Sequence, residues 1–125
     1  GIDVRVVIPQ KADKKAVHYA TLSYVNELVK NGVKVYEKRG FLHSKTLLID
    51  DEISSVGSFN IDIRSFVLQF EITAFIYDKN FNQKLYQAIR DDIKDSIELT
   101  RKSIALRPIN QKAAERVMRL LTPII

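Results

Sequence analysis

Cysteine is absent from the 125 residues, which excludes a disulfide framework, a thiolate metal site and a cysteine nucleophile. Long apolar runs are missing as well. No stretch approaches the roughly 18 residues of a membrane span, and no signal peptide opens the chain. Histidine is scarce, with only His18 and His43. They form no H-x-x-x-H pair and His18 has no matching ligand spacing, so no metal site is expected. There is no internal repeat and no low-complexity linker. What is present is 46% hydrophobic and 28% charged, ordinary for one globular domain and too short for two with separate cores. The chain begins at Gly1 and enters a strand pattern almost at once, as expected of a piece of a longer protein.

The net charge of +5 is unevenly placed. Residues 1–100 hold 14 Lys+Arg and 14 Asp+Glu, so the whole excess lies in residues 101–125. There Arg101, Lys102, Arg107, Lys112, Arg116 and Arg119 face Glu115 alone. Such a segment attracts phosphate-bearing partners, or else is a solvated helix face.

Val4 to Ile8 reads as a buried strand stopped by Pro9. After a charged loop over residues 11–15, Val17, Leu22, Val25, Leu28 and Val29 share one side of a helix, which Asn31-Gly32 ends. Val33 to Glu37 reads as a second strand, so strand, helix and strand imply a parallel crossover. Lys45 to Asp50 and Ile53 to Val56 suit a hairpin around Asp51-Glu52, and Glu71 to Tyr77 another central strand. Phe81, Leu85, Ile89, Ile93 and Ile97 recur at steps of four, predicting one helix from about residue 79 to 100. Pro108 suits the first turn of a further helix. The fold class is α/β, one mixed sheet flanked by helices.

That last helix, residues 109–125, carries Ala113, Val117, Leu120, Leu121 and Ile124 on one side, with Lys112, Arg116 and Arg119 on the remaining arc. It can lie on an anionic lipid surface, or its stripe can pack on the domain's own sheet.

The stretch "FLHSKTLLID", residues 41–50, sets His43 and Lys45 in an apolar, strand-like run. Alternation puts both on one face. His43 alone would read as a hydrogen-bonded core residue, but lysine is almost never buried without an anion. A proton carrier beside a fixed cation suits a phosphoryl group. Gly57 permits a tight turn, after which Ser58 and Asn60 can donate to an anion; the plainer account is a Ser/Asn turn. Glu71 can hold an imidazole in one tautomer, or form a strand-end salt bridge. Asp50 stands with His43, Lys45 and Glu71 among the candidate catalytic residues, and a turn or cap role suits it better than a direct part in bond breaking.

Together these residues spell H-x-K-x4-D-x6-G-S-x-N, which resembles the signature of the phospholipase D superfamily. The wider stretch from "ATLSYVNELVKNGVKVYEKRG" to "EITAFIYD", with "DDIKDSIELTRKSIALRP" after it, is similar to bacterial cardiolipin synthases. The resemblance spans essentially the whole chain and implies a phospholipase-D-like α/β fold.

Enzymes of this superfamily build one site from two H-x-K motifs across a pseudo-twofold. One histidine forms a phosphohistidine and the other protonates the leaving alcohol. This chain has one motif, so residues 1–125 look like the C-terminal catalytic half of a longer enzyme. Carried over, His43 is the general acid/base, Lys45 and Asn60 hold phosphate oxygens, and Ser58 supports them. Glu71 then orients His43 or the other half's histidine. The implied reaction joins two phosphatidylglycerol molecules into cardiolipin and releases glycerol, without cofactor. The implied partners are anionic phospholipid, the membrane surface and the other H-x-K half or a second copy, not nucleic acid. The implied location is the bacterial cell membrane, reached through segments outside this chain. His18 and Tyr19 could flank a lipid entrance, although ordinary packing explains them as well. The competing readings are a single-motif nuclease active as a homodimer and a non-catalytic module for anionic lipid or nucleic acid.

Overall fold

A computed structural model describes residues 1–11, 14–62 and 64–122, and of Arg64 only the backbone. They form two compact units, Gly1–Leu42 with Asp95–Ile125, and His43–Lys94.

In the first unit, strand β1 (Arg5–Lys11) passes through helix α1 (Lys15–Lys30) to β2 (Lys34–Phe41). The strands are parallel, with Val6 opposite Val35 and Val7 opposite Tyr36, which is the predicted crossover. Asn31 caps α1, and Gly32 takes φ 86°, a left-handed value that glycine adopts without strain. Pro9 does not stop β1. The strand lies at the edge of its sheet, where a missing N–H is tolerated, and the register shifts between Pro9 and Lys11. Ile8, Leu22, Val25, Val35, Leu99 and Ile104 form the buried core, with Val6, Leu28, Val29 and Val33 against it. Val17, expected on the same side, is 40% exposed in the first turn of α1.

The sequence predicts one helix to about residue 100, but helix α2 (Lys79–Lys94) ends earlier. Strand β6 (Ser96–Leu99) follows and pairs antiparallel with β2, Leu99 opposite Val35 and Ser96 opposite Lys38. Ile97 keeps the four-residue step yet lies in a strand, because pairing with β2 satisfies its backbone. Thr100 then caps α3 (Arg101–Ala105) in a reciprocal capping box with Ser103.

Helix α4 (Ile109–Leu121) follows Pro108 and packs on α1 with its polar side. Glu115 is buried, Gln111, Met118 and Thr122 are half-buried, and Arg107 Nη1 meets Glu115 Oε1 at 3.1 Å. Ala113, Val117, Leu120 and Leu121 all face solvent, with Leu120 80% exposed. Packing of this stripe on the domain's own sheet is therefore overturned; Ile124 lies outside the described residues.

In the second unit, β3 (Thr46–Ile49), β4 (Ile53–Gly57) and β5 (Thr73–Ile76) form an antiparallel sheet in that order. The α/β class holds, but the strands divide into two three-stranded sheets instead of one, the first mixed and the second antiparallel. β5 is an edge and not the central strand expected. Asp50 and Asp51 turn the hairpin with φ 49° and 57°, closed by the Glu52 N–H on the Ile49 carbonyl at 3.0 Å. Among the described residues of this unit the buried ones are Ser54, Ser65 and Asn82, all polar. Phe66, Phe70, Ile72 and Phe75 remain between 65% and fully exposed.

Candidate functional site

The sequence places His43 and Lys45 in a strand. Both lie in the irregular lead-in to β3, outside the regular strand, and there their side chains come together. Lys45 Nζ sits 3.2 Å from His43 Nε2 and donates to the His43 carbonyl oxygen at 3.0 Å. Whether Nε2 accepts from or donates across this contact is set by the ring tautomer, so the pair can serve either direction of proton transfer. The Lys45 carbonyl oxygen accepts from the Gly57 N–H at 3.2 Å, which ties this lead-in to the end of β4.

Gly57 is required there by close approach. An added Cβ would press on the Ile72 carbonyl oxygen and lie 2.7 Å from Thr73 Cα. That same oxygen accepts the Ser58 N–H at 3.0 Å, and the Ser58 hydroxyl accepts the Ile72 N–H at 3.1 Å. Ser58 then gives its single proton to Glu71 Oε2 in a short bond. The expectation that Ser58 donates to an anion therefore meets a competing acceptor, the carboxylate.

Glu71 sits two residues before β5, half-buried. Its Oε1 receives the Ser65 hydroxyl at 2.9 Å. The hydrogen bonds from Ser58 and Ser65, with the Lys45 charge adding to them, hold the Glu71 carboxyl below its ordinary range. The group is ionised at neutral pH. Asn60 is exposed, and its N–H reaches the Ser65 hydroxyl at 3.3 Å. Asp50 stands apart at the hairpin turn, at the opposite end of β3 from Lys45, where its left-handed backbone fits the turn role expected of it.

His43 with Lys45, and Ser58 with Glu71, are thus brought together, and Asn60 joins through a residue the sequence reading missed. Ser65 sits in a π-helical turn (Arg64–Leu68) and is 5% exposed. Its N–H is capped by Asp62 Oδ1 at 2.8 Å, and Phe59 packs edge-on to Phe66 beside it. The D-x-x-S spacing of Asp62 and Ser65 was the available signal.

The family model described as "Cardiolipin synthase, PLD-like domain" matches residues 1–93. Cardiolipin synthase 2 of Bacillus cereus is 44% identical over 126 aligned residues, covering 100% of this chain and 24% of the relative. The major cardiolipin synthase ClsA of Bacillus subtilis is 47% identical, and the cardiolipin synthase of Listeria monocytogenes 48%, each over all of this chain and 26% of its own. The chain therefore spans about a quarter of the curated relatives it matches. Among solved structures, Nuc from Salmonella typhimurium, a phospholipase D family member, superposes with a TM-score of 0.67 at 18% identity. The match covers 79% of this chain and 65% of that one, a likeness of fold.

Proposed function

The chain belongs to the PLD-like domain family of cardiolipin synthases, and from that premise we propose that it supplies one half of a transphosphatidylation site, the C-terminal catalytic half of a longer enzyme. The observation that carries the reading is the 3.2 Å approach of Lys45 Nζ to His43 Nε2 beside the ionised Glu71. In the first step a histidine of the other half attacks phosphorus of one phosphatidylglycerol. The phosphorus–nitrogen bond forms as the bond to the glycerol headgroup breaks, and His43 gives that leaving oxygen its proton. In the second step a hydroxyl of another phosphatidylglycerol attacks. His43 takes its proton, the phosphorus–nitrogen bond breaks, and cardiolipin is released. Lys45 and Asn60 hold the non-bridging oxygens, whose charge grows in the transition state. Ser58 holds Glu71, and Glu71 orients an imidazole, that of His43 or of the other half.

The exposed apolar side chains of the second unit, Phe66, Phe70, Ile72 and Phe75, support a partner half covering part of this unit, since much exposed apolar surface on one small unit favours a partner. The outward stripe of α4, flanked by Lys112 and Arg116, supports contact with an anionic membrane surface. No helix among the described residues is long and apolar enough to cross a membrane. Deleting α4 would also strip Glu115 from Arg107, so the membrane contact is better tested with V117D/L120D, which should lower sedimentation with phosphatidylglycerol vesicles; unchanged sedimentation rejects it.

The decisive experiment is turnover of phosphatidylglycerol vesicles by the complete enzyme. His43→Ala and Lys45→Ala should each abolish glycerol release, and the phosphoryl group trapped by alkaline denaturation, which spares the phosphorus–nitrogen bond, should sit on the other half's histidine. Turnover surviving His43→Ala rejects the reading, and phosphate found on His43 exchanges the two histidine roles.

A further inference from the structure

Ser65 belongs to neither the recognised motif nor the hydrophobic core, yet it is buried to 5% exposure and makes three directed hydrogen bonds. We infer that Ser65 is a positioning residue that locks the Glu71 carboxylate and the Asn60 main chain into one arrangement, an inference that rests on the proposed transphosphatidylation site.

A hydroxyl has one proton and accepts through its lone pairs. The Asn60 N–H can only donate, so the Ser65 oxygen accepts there at 3.3 Å. Its proton is left for Glu71 Oε1, at 2.9 Å. The orientation of the bond is therefore dictated by the backbone. With Ser58 on the other oxygen, the carboxylate plane is held at two points from two separate loops. Each oxygen keeps a further lone pair, so the locked group can still receive an imidazole N–H. The π-helical turn is what aims Ser65 inward, with Asp62 capping its N–H at 2.8 Å and the Asp62 carbonyl accepting from Phe66 at 3.1 Å. Single-turn π segments are a recurrent means of presenting one side chain at a functional site.

The test is steady-state turnover of phosphatidylglycerol vesicles by the complete enzyme as a function of pH. Ser65→Ala removes one donor to the charged carboxylate, so the pKa of Glu71 rises toward its ordinary range. The acidic limb of kcat should move to higher pH, and kcat near neutrality should fall about 10-fold with little change in KM, as for partners that orient a functional group. Ser65→Thr keeps the hydroxyl and should return the limb to the parent position. Ser65→Cys keeps the size but donates weakly, so it should reproduce the alanine profile in a folded enzyme. A parent-like limb and kcat in both the alanine and cysteine variants overturns the inference. Glu71→Gln separates the two levels of argument. If it is inactive while Ser65→Ala behaves as the parent, only the role of Ser65 fails; if Glu71→Gln retains full turnover, the site reading fails with it.

Discussion

Asn82 is the most telling residue to perturb, because the second unit is held at its centre by a polar bolt. It is fully buried on α2, accepts the Ser54 hydroxyl at 2.6 Å and donates to the Glu52 carbonyl at 2.6 Å. It thereby fixes the helix to β4 and to the hairpin turn. Asn82→Ala leaves the Ser54 hydroxyl, itself 1% exposed, and the Glu52 carbonyl without these partners. A buried polar group left unmade costs about 1–3 kcal/mol; the Ser54 hydroxyl meets that condition, whereas Glu52 is exposed and its carbonyl can turn to water, so the loss is that of one group. That is a large share of the roughly 5–15 kcal/mol typical of a domain. With a urea slope of about 1–3 kcal/mol/M, the midpoint should fall by about 1 M with the slope unchanged. Asn82→Asp adds a direction. It keeps the acceptor for Ser54 but sets a carboxyl against the Glu52 carbonyl oxygen, and burial raises its folded pKa above the unfolded value of about 3.9. Its folded state is then relatively most stable below the unfolded pKa and loses stability as pH rises through the folded one. An Asn82→Ala unfolding free energy within about 0.5 kcal/mol of the parent would refute the argument, as would an Asn82→Asp penalty that does not shrink on acidification.

Three further outcomes follow from other parts of the chain. Gly57→Ala should cost more stability than Gly32→Ala, because the first meets backbone at Ile72 and Thr73 while the second has open space and pays only for its φ of 86°; equal urea midpoints would contradict this. Glu115→Ala strands Arg107, whose side chain is 10% exposed, and should cost about 3–5 kcal/mol in urea unfolding, while R107M/E115L should recover most of it; a single-variant loss below about 1 kcal/mol would show the pair is solvated. Arg5 and Lys34 hold the Asp3 carboxyl down at about 2. Its contribution is present above the ordinary carboxylate pKa of 3.8 and is lost as pH falls through about 2, so Asp3→Asn should differ from the parent at pH 7 in low salt and converge with it in acid; a difference that persists in acid would count against the pairing.

What the sequence determined by itself is what short-range chemistry dictates. The apolar runs around Val6 and Val35, the helical spacing of Leu22 and Val25 and the Asn31-Gly32 stop were enough for the parallel crossover. Asp50 to Glu52 announced the hairpin turn, and the string from His43 to Asn60 carried the resemblance to the family that the match over residues 1–93 shows. Tertiary structure decided the rest. Residues 96–99 continue the helical step of α2, and only the open edge of β2 makes them a strand. The stripe of α4 looked like a core face, yet the buried Arg107–Glu115 pair draws the polar side of the helix onto α1 and turns Leu120 outward. Ser65 carries only the local D-x-x-S spacing with Asp62, which announces a cap and nothing more, and it matters because the turn at Arg64–Leu68 folds it onto a carboxylate six residues away. Local pattern records which side of an element is apolar; which side is covered depends on the partners the fold brings to it, and those partners are distant in the chain.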